Sequence, residues 1–259
     1  MRRFFVRGRG YCYQARALFA RMTVQPDSAR KRQIDLLIRT LLASGVWYKL
    51  DKLHVYAAHT YQASLLNWIG TSYAHTVVGT ISTLFVTDRG FTGLSTTNYI
   101  DTNYRPGVGL SAEDDFSCGM KVTISPSGAG VNVLGATDLS GHGVSIEITS
   151  AGTLAVTKIG QTPLSSFSVA AGDIIGVSRD TGDPRSYKNG APATTGASAT
   201  STPNSIDIFE GCLNANGTPT NDGAGWQNSA SYYGANLSDT ENLALYNAIA
   251  TYMTAVGVP

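Results

Sequence analysis

Oxygen-rich loops set beside aromatic side chains are the parts of this chain best equipped for chemistry. Trp226 in GAGWQN has Asn214, Asn216 and Gln227 close to it in sequence, and Tyr232 and Tyr233 follow. An exposed aromatic face ringed by amides is what stacking and hydrogen bonding of a sugar ring require. Neighbouring strand residues point to opposite faces, so one of Tyr232 and Tyr233 is expected in a core and the other outside. Asp180 and Asp183 in DTGD, and Asn214, Asn216, Asn221 and Asp222 in NANGTPTND, offer oxygens of the kind calcium collects from loops, about six to eight at a time. The same residue types make turns without any ion. The turn reading is preferred, so no metal or other cofactor is expected, with calcium at Asp180, Asp183 and Asp222 the alternative.

Other chemistries lack their spacing. His54, His59, His75 and His142 are scattered and form no HExxH set, and no GxSxG elbow, phosphate loop or dinucleotide fingerprint occurs. Cys12, Cys118 and Cys212 are odd in number and far apart, which reads as buried small hydrophobes in a reducing compartment. No apolar run is long enough to span a bilayer, so no membrane partner is expected. Asn216-Gly-Thr218 and Asn236-Leu-Ser238 match a glycosylation acceptor, but no apolar run near the N-terminus is long enough for a secretory signal, so both are discounted.

The overall charge of +1 hides an asymmetry. Residues 1–32 carry nine basic side chains and one acid, and the other 227 residues carry ten and seventeen, a balance of +8 against −7. Arg2, Arg3, Arg7 and Arg9 alternate with Phe4, Phe5, Tyr11 and Tyr13. Arginine forks pair with carboxylate or phosphate, and aromatics add buried apolar area at an interface. Residues 1–25 therefore read as a docking arm for a protein partner. A lysine-rich, aromatic-poor tail would suffice for nucleic acid, which is not expected as a partner.

The elements that must hold these residues follow from periodicity. A helix is predicted after Pro26 and Asp27, with Ile34, Leu37, Ile38, Leu41 and Leu42 on one face and Gly45 as its stop. WYKLDKL continues as a short helical piece, HVYAA (54–58) as a buried strand, and Thr60 caps a helix through YQASLLNW. Residues 26–72 thus form a helical preface with one strand. From 73 to 237, some ten short strand-like runs recur between Gly, Pro, Asn, Asp and Ser. VSIEIT and LAVTKI alternate apolar and polar residues, DTGD and Asn189-Gly190 read as hairpin turns, and 190–203 reads as a loop. Residues 238–259 close the chain with a helix opened by the capping box Ser238-Asp-Thr-Glu241, packed on the sandwich.

The ordered set GVWYKLDKLHVYAAH, LNWIG, FTGLSTTNYIDT, IIGVSRD with YKNG, FEGCLNANGTPTN and YGANLSDTENLALYNAIATYM resembles bacteriophage, prophage and gene-transfer-agent virion proteins that carry a concanavalin A-like lectin/glucanase domain, over residues 22–257. The resemblance implies a mainly β fold: an antiparallel jelly-roll sandwich with N-terminal helices and a C-terminal helix. It implies a head spike, fibre or tail-surface component of a virion, assembled in the host cytoplasm. Its partners would be other virion proteins and further copies of itself. The alternative is a host-attachment module that recognises cell-surface polysaccharide. Glucanases of this fold use E-x-D-x-x-E, with two carboxylates as nucleophile and acid/base. Here Ser205-Ile-Asp207-Ile-Phe-Glu210 has serine at the nucleophile-like position, and a hydroxyl carries no charge to stabilise an oxocarbenium ion. No enzymatic activity is expected.

Overall fold

The computed structural model describes residues 10–110, 115–124, 130–149, 154–160, 162–164, 167–180, 183–195, 206–220 and 225–258. The mainly β, two-sheet sandwich expected from the sequence is observed, with helices gathered against one sheet.

Three helices and a strand come first: α1 (Tyr13–Ala20), α2 (Ser28–Ala43), β1 (Leu50–Val55) and the short α3 (Tyr61–Ser64). Asp27 caps α2 by accepting the Arg30 amide at 2.7 Å, so Pro26 lies one residue outside the helix rather than in its first turn. Gly45 follows at φ 81°, the left-handed conformation that ends a helix. WYKLDKL is not one helical piece. A single 3-10 turn covers Val46–Tyr48, and the strand begins at Leu50. Lys52 and His54, with Tyr56 just past the strand's end, then share one face of β1, while Leu53 and Val55 meet the helices on the other.

The remaining strands are β2 (Thr76–Val78), β3 (Phe85–Val86), β4 (Gly90–Thr92), β5 (Tyr99–Asp101), β6 (Asp115–Ile124), β7 (Val131–Thr137), β8 (Gly143–Thr149) and β9 (Leu154–Gly160). After them come β10 (Thr162–Pro163), β11 (Phe167–Ser168), β12 (Ile174–Asp180), β13 (Asp183–Lys188), β14 (Ala191–Thr195), β15 (Phe209–Glu210), β16 (Leu213–Ala215), β17 (Thr218–Thr220) and β18 (Gln227–Gly234). Helix α4 (Asp239–Ala255) closes the fold behind a complete Ser238–Glu241 capping box. Part of the stretch expected to be a loop, Ala191–Thr195, is instead a strand on the edge of the first sheet.

Among the described residues, the first sheet runs β14-β13-β12-β6-β18-β4-β3, with β1 also on β18. The second runs β10-β9-β8-β7-β15-β5-β2, with β11 on β9 and the β16–β17 hairpin attached to β7. One core lies between the sheets, where Phe116, Cys118, Met120 and Val122 of β6 face Val144, Ile146 and Ile148 of β8. A second core lies between the first sheet and α1, α2 and α4. Both faces of the first sheet are therefore covered, which is why β18 is buried along its whole length. The outer face of the second sheet is wetter toward the end of β8, where half-buried Glu147 and Thr149 alternate with buried Ile146 and Ile148.

Two glycines make room in the helix-side core. Gly176, Gly119 and Tyr232 stand in one cross-strand row. A Cβ on Gly176 would sit 2.1 Å from the Tyr232 hydroxyl, so the ring crosses a floor that only glycine provides. At the β13–β14 turn, Asn189 (φ 52°) and Gly190 (φ 77°) adopt the conformation that asparagine-glycine hairpins favour. A Cβ on Gly190 would lie 2.7 Å from the Leu243 Cα, so this turn seats against α4.

Candidate functional site

The aromatic and amide candidates for a sugar platform do not form one. Trp226 is fully buried, and its indole N–H donates to the Leu94 carbonyl at 3.3 Å. Tyr232 and Tyr233 do point to opposite faces, but neither face is open. Tyr232 enters the helix-side core and Tyr233 the inter-sheet core. Gln227 lies buried in the β18 ladder. Asn214 braces its own hairpin, donating to the Asp207 carbonyl at 2.7 Å and accepting the Gly217 amide at 2.6 Å. Asn216 alone of the six is exposed, at the left-handed turn of that hairpin (φ 50°). The reasons differ: Trp226 and Tyr233 fill the core between the sheets, while the helices cover the sheet face that a bare sandwich would leave wet and so bury Tyr232.

Of the arm, Arg2, Arg3, Phe4, Phe5, Arg7 and Arg9 lie outside the described residues. Tyr13 opens α1 and is 74% exposed, and Tyr11 packs edge-on against Phe19 with ring centroids 5.3 Å apart. The segment from 13 to 22 is no appendage. Ala15, Leu18, Phe19 and Met22 are buried in the helix-side core. The sequence signal for this is an apolar spacing of i, i+3, i+4 and i+7 inside the basic stretch.

Ser205 lies outside the described residues, so its side of the E-x-D-x-x-E-like segment is not seen. Glu210 is fully buried between the sheets. It accepts from the Tyr233 hydroxyl at 2.6 Å and from the Asn228 amide at 2.8 Å. The same layer holds Lys52, also fully buried, whose ammonium donates to the Thr102 carbonyl and lies 5.7 Å from the centre of the Tyr233 ring. Burial raises the Glu210 carboxyl and lowers Lys52 to about 7, while the negative charges of Glu210, Asp101 and Asp207 hold Lys52 up against that pull. Beside them, the Tyr56 hydroxyl meets Ser231 Oγ at 3.1 Å. This is a buried polar network joining β1, β15 and β18. Reading 47–53 as helix hides it, because the alternation Lys52, His54, Tyr56 appears only once the segment is a strand.

An open, polar site lies elsewhere, where β12 and β13 meet the start of α4. A cleft of about 310 Å³ is lined there by Ser178, Asp180, Asp183, Arg185, Asn236 and Asp239 among others, a volume at the lower end of ligand pockets. Asp180 and Asp183 face each other across the β12–β13 ladder and are both exposed. Asp239 Oδ1 accepts from the Tyr187 hydroxyl at 2.7 Å and from Arg185 at 3.1 Å. Burial first, and then that carboxylate, hold the Tyr187 phenol up, and the same carboxylate raises Arg185. Ser178 Oγ donates to Asn236 Oδ1 at 2.6 Å and accepts the Leu237 amide at 3.0 Å, fixing the cleft floor. The two calcium candidates seen here are thus brought into a polar cleft, while Asp222 lies outside the described residues. Among the described residues no group of three or more His, Cys, Asp or Glu side chains is gathered as for a metal ion. The cleft presents carboxylates, an amide, a guanidinium and hydroxyls, the set that binds vicinal sugar hydroxyls by hydrogen bonding.

No protein-family model and no curated protein sequence matches the chain. Solved structures do. Domain 4 of a GH43 extracellular arabinanase from Geobacillus stearothermophilus, solved with arabinotriose, is similar at 15% identity and a TM-score of 0.50, over 76% of this chain and 98% of that one. A structure of botulinum neurotoxin type C, whose cell entry depends on interaction with two ganglioside molecules, is similar at 13% identity and a TM-score of 0.56, over 79% of this chain and 52% of that one. A Trypanosoma rangeli sialidase in complex with 2,3-difluorosialic acid is similar at 14% identity and a TM-score of 0.53, and the likeness covers 83% of this chain and 38% of the sialidase. The shared feature is the β-sandwich fold.

Proposed function

We propose that this chain is a carbohydrate-binding module, displayed on a virion surface and held there by its basic N-terminal segment. The cleft between the β12–β13 hairpin and α4 carries the binding half of the reading, because it is an open, polar, ligand-sized site on a sandwich shared with an arabinotriose-bound domain. Binding without hydrolysis is supported by Glu210, whose carboxylate is sealed in the core on Tyr233 and Asn228 and so is out of reach of a sugar. A polysaccharide array followed by calorimetry tests the module. Binding is expected, and Asp183→Ala or Arg185→Ala should weaken it about tenfold or more, the loss of one or two hydrogen bonds to charged groups. An array with no binding to the intact chain sinks the reading.

Docking in a particle is favoured by a separate observation, the +8 balance of residues 1–32 against −7 in the rest. Replacing Arg2, Arg3, Arg7 and Arg9 by alanine should leave the melting temperature unchanged and remove the protein from assembled particles. Normal incorporation would refute the docking role.

A further inference from the structure

Two imidazoles lie face to face inside the sandwich with nothing to bond. His54 of β1 and His75, one residue before β2, stack with ring centroids 3.6 Å apart and planes 17° apart. All four ring nitrogens are buried, and among the described residues none has a partner at ordinary hydrogen-bond geometry. Lys52 on β1 and Tyr56 just past its end flank His54, with the Tyr56 ring 5.8 Å away. Arg21, the residue after α1, adds positive charge, and a loose hydrogen-bonding contact with the Ser64 backbone of α3 acts the other way. Around His75 stand His54, Lys52 and Tyr56. Glu210, the carboxylate of the same layer, is bonded to Tyr233 and Asn228. Both rings are held neutral by burial first and by the neighbouring cations second.

The element carrying His75 is lightly held. Strand β2 has three residues and, among the described residues, lies at the edge of the second sheet and pairs with β5 alone. Ala74 and Thr76, on either side of His75, are exposed. The lead-in is fastened by Asn103, which donates to the Ala74 carbonyl at 2.5 Å and to Thr76 Oγ1 at 2.9 Å, and by Asn67, which donates to the Ser72 carbonyl at 3.2 Å. Tyr73 sits at φ 54°, a left-handed conformation unfavourable to a bulky residue.

We propose that the His54–His75 stack is an acid-released latch: protonation of either ring expels His75 and opens the 72–78 edge of the second sheet, exposing Lys52 and the buried network behind it. A proton cannot be accommodated in the closed stack, because it would lie unpaired beside a second imidazole, an ammonium and a guanidinium. It can be accommodated once His75 reaches water. Opening is therefore favoured as pH falls below about 6.5, by about tenfold per pH unit for each histidine that becomes protonated only in the open form. The helix-side core takes no part, so the rest of the fold stays closed.

Amide hydrogen exchange on the full chain, corrected for intrinsic rates, tests this between pH 7.5 and 5. Protection of residues 76–78 and of their partners 99–101 should fall at least tenfold by pH 5.5, while β7 and β8 keep theirs. In His54→Phe/His75→Phe the edge should stay equally protected at both ends of the range. Should that variant fail to fold, the imidazole resonances of the wild type serve instead: both rings should titrate together with loss of edge protection. Unchanged protection of the edge at pH 5, an identical loss in the folded double variant, or rings that titrate while the edge stays protected would each overturn the latch.

Discussion

At Glu210 and Lys52 a carboxyl and an amine sit where a sandwich normally keeps hydrocarbon. Neither can be removed alone at low cost, since each serves as partner or counter-charge to groups that have no water. Glu210→Ala strands the Tyr233 hydroxyl, the Asn228 amide and the charge of Lys52, and should destabilise the chain by about 3–5 kcal/mol in urea unfolding. Lys52 also leaves a signature in pH. Its folded-state value of about 7 lies below that of an unfolded lysine, about 10.4. Between those values the unfolded chain binds a proton that the folded core does not, so this residue makes stability rise with pH. The unfolding free energy of the wild type minus that of Lys52→Met should therefore increase from pH 7 to pH 10 and level off outside that window. At Tyr232 the argument is steric. Gly176→Ala should cost about 1–3 kcal/mol by overpacking, and much less in a Tyr232→Phe background, where the clashing hydroxyl is gone. Equal costs in both backgrounds would show that the glycine floor is not what the ring requires.

Helices α1 and α4 decide how the elements behave. Leu18 and Phe19 of α1 are buried against α2 and the first sheet. Burying such side chains contributes about 1.5–3 kcal/mol each. A chain lacking residues 1–22 should therefore melt well below the full one or fail to fold, and a normal melt would return α1 to the status of an arm. For α4, the capping box places Ser238 Oγ on the Glu241 amide and the Glu241 carboxylate back on the Ser238 amide, with Lys49 at 2.8 Å completing the set. Those bonds hold the Glu241 carboxyl below its ordinary value against the burial that raises it. Ser238→Ala should lower stability by about 1 kcal/mol. Because Ser238 also lines the cleft, the same variant measured in a glycan-binding assay reports whether the start of α4 positions the site.

Across the whole molecule, three layers replace the two of a bare sandwich. The helices lie on one sheet only, so the second sheet's outer face, its edge at β2 and the cleft beside α4 remain to meet solvent. Much of this was legible in residue order. The alternation Val144, Ile146, Ile148 gives half-buried strands, the spacing of Ile34, Leu37, Ile38 and Leu41 gives α2, and Ser238 with Glu241 gives the start of α4, because each signal is local and set by the period of a single element. Sequence went astray where a residue's neighbours come from distant elements. Trp226, Gln227 and Tyr232 have the composition of a sugar platform, yet Trp226 fills the core between the sheets and Tyr232 the core under the helices, with Gln227 buried at the start of β18. The apolar face of α1 was masked by the arginines among which it lies. Asp180 and Asp183 were visible as a pair, but only the hairpin's approach to α4 brings Asp239, Asn236 and Ser178 around them. The stacked histidines and the Lys52–Glu210 layer had no sequence signal of their own, since residues 54 and 75, or 52 and 210, become neighbours only by sheet pairing and sandwich closure. Periodicity along the chain determined the strands and helices whose apolar face is regular, such as α2, α4 and β8, but not β1, β14 or α1. Which polar groups are buried, which are paired and which stay open was decided by how those elements cover one another.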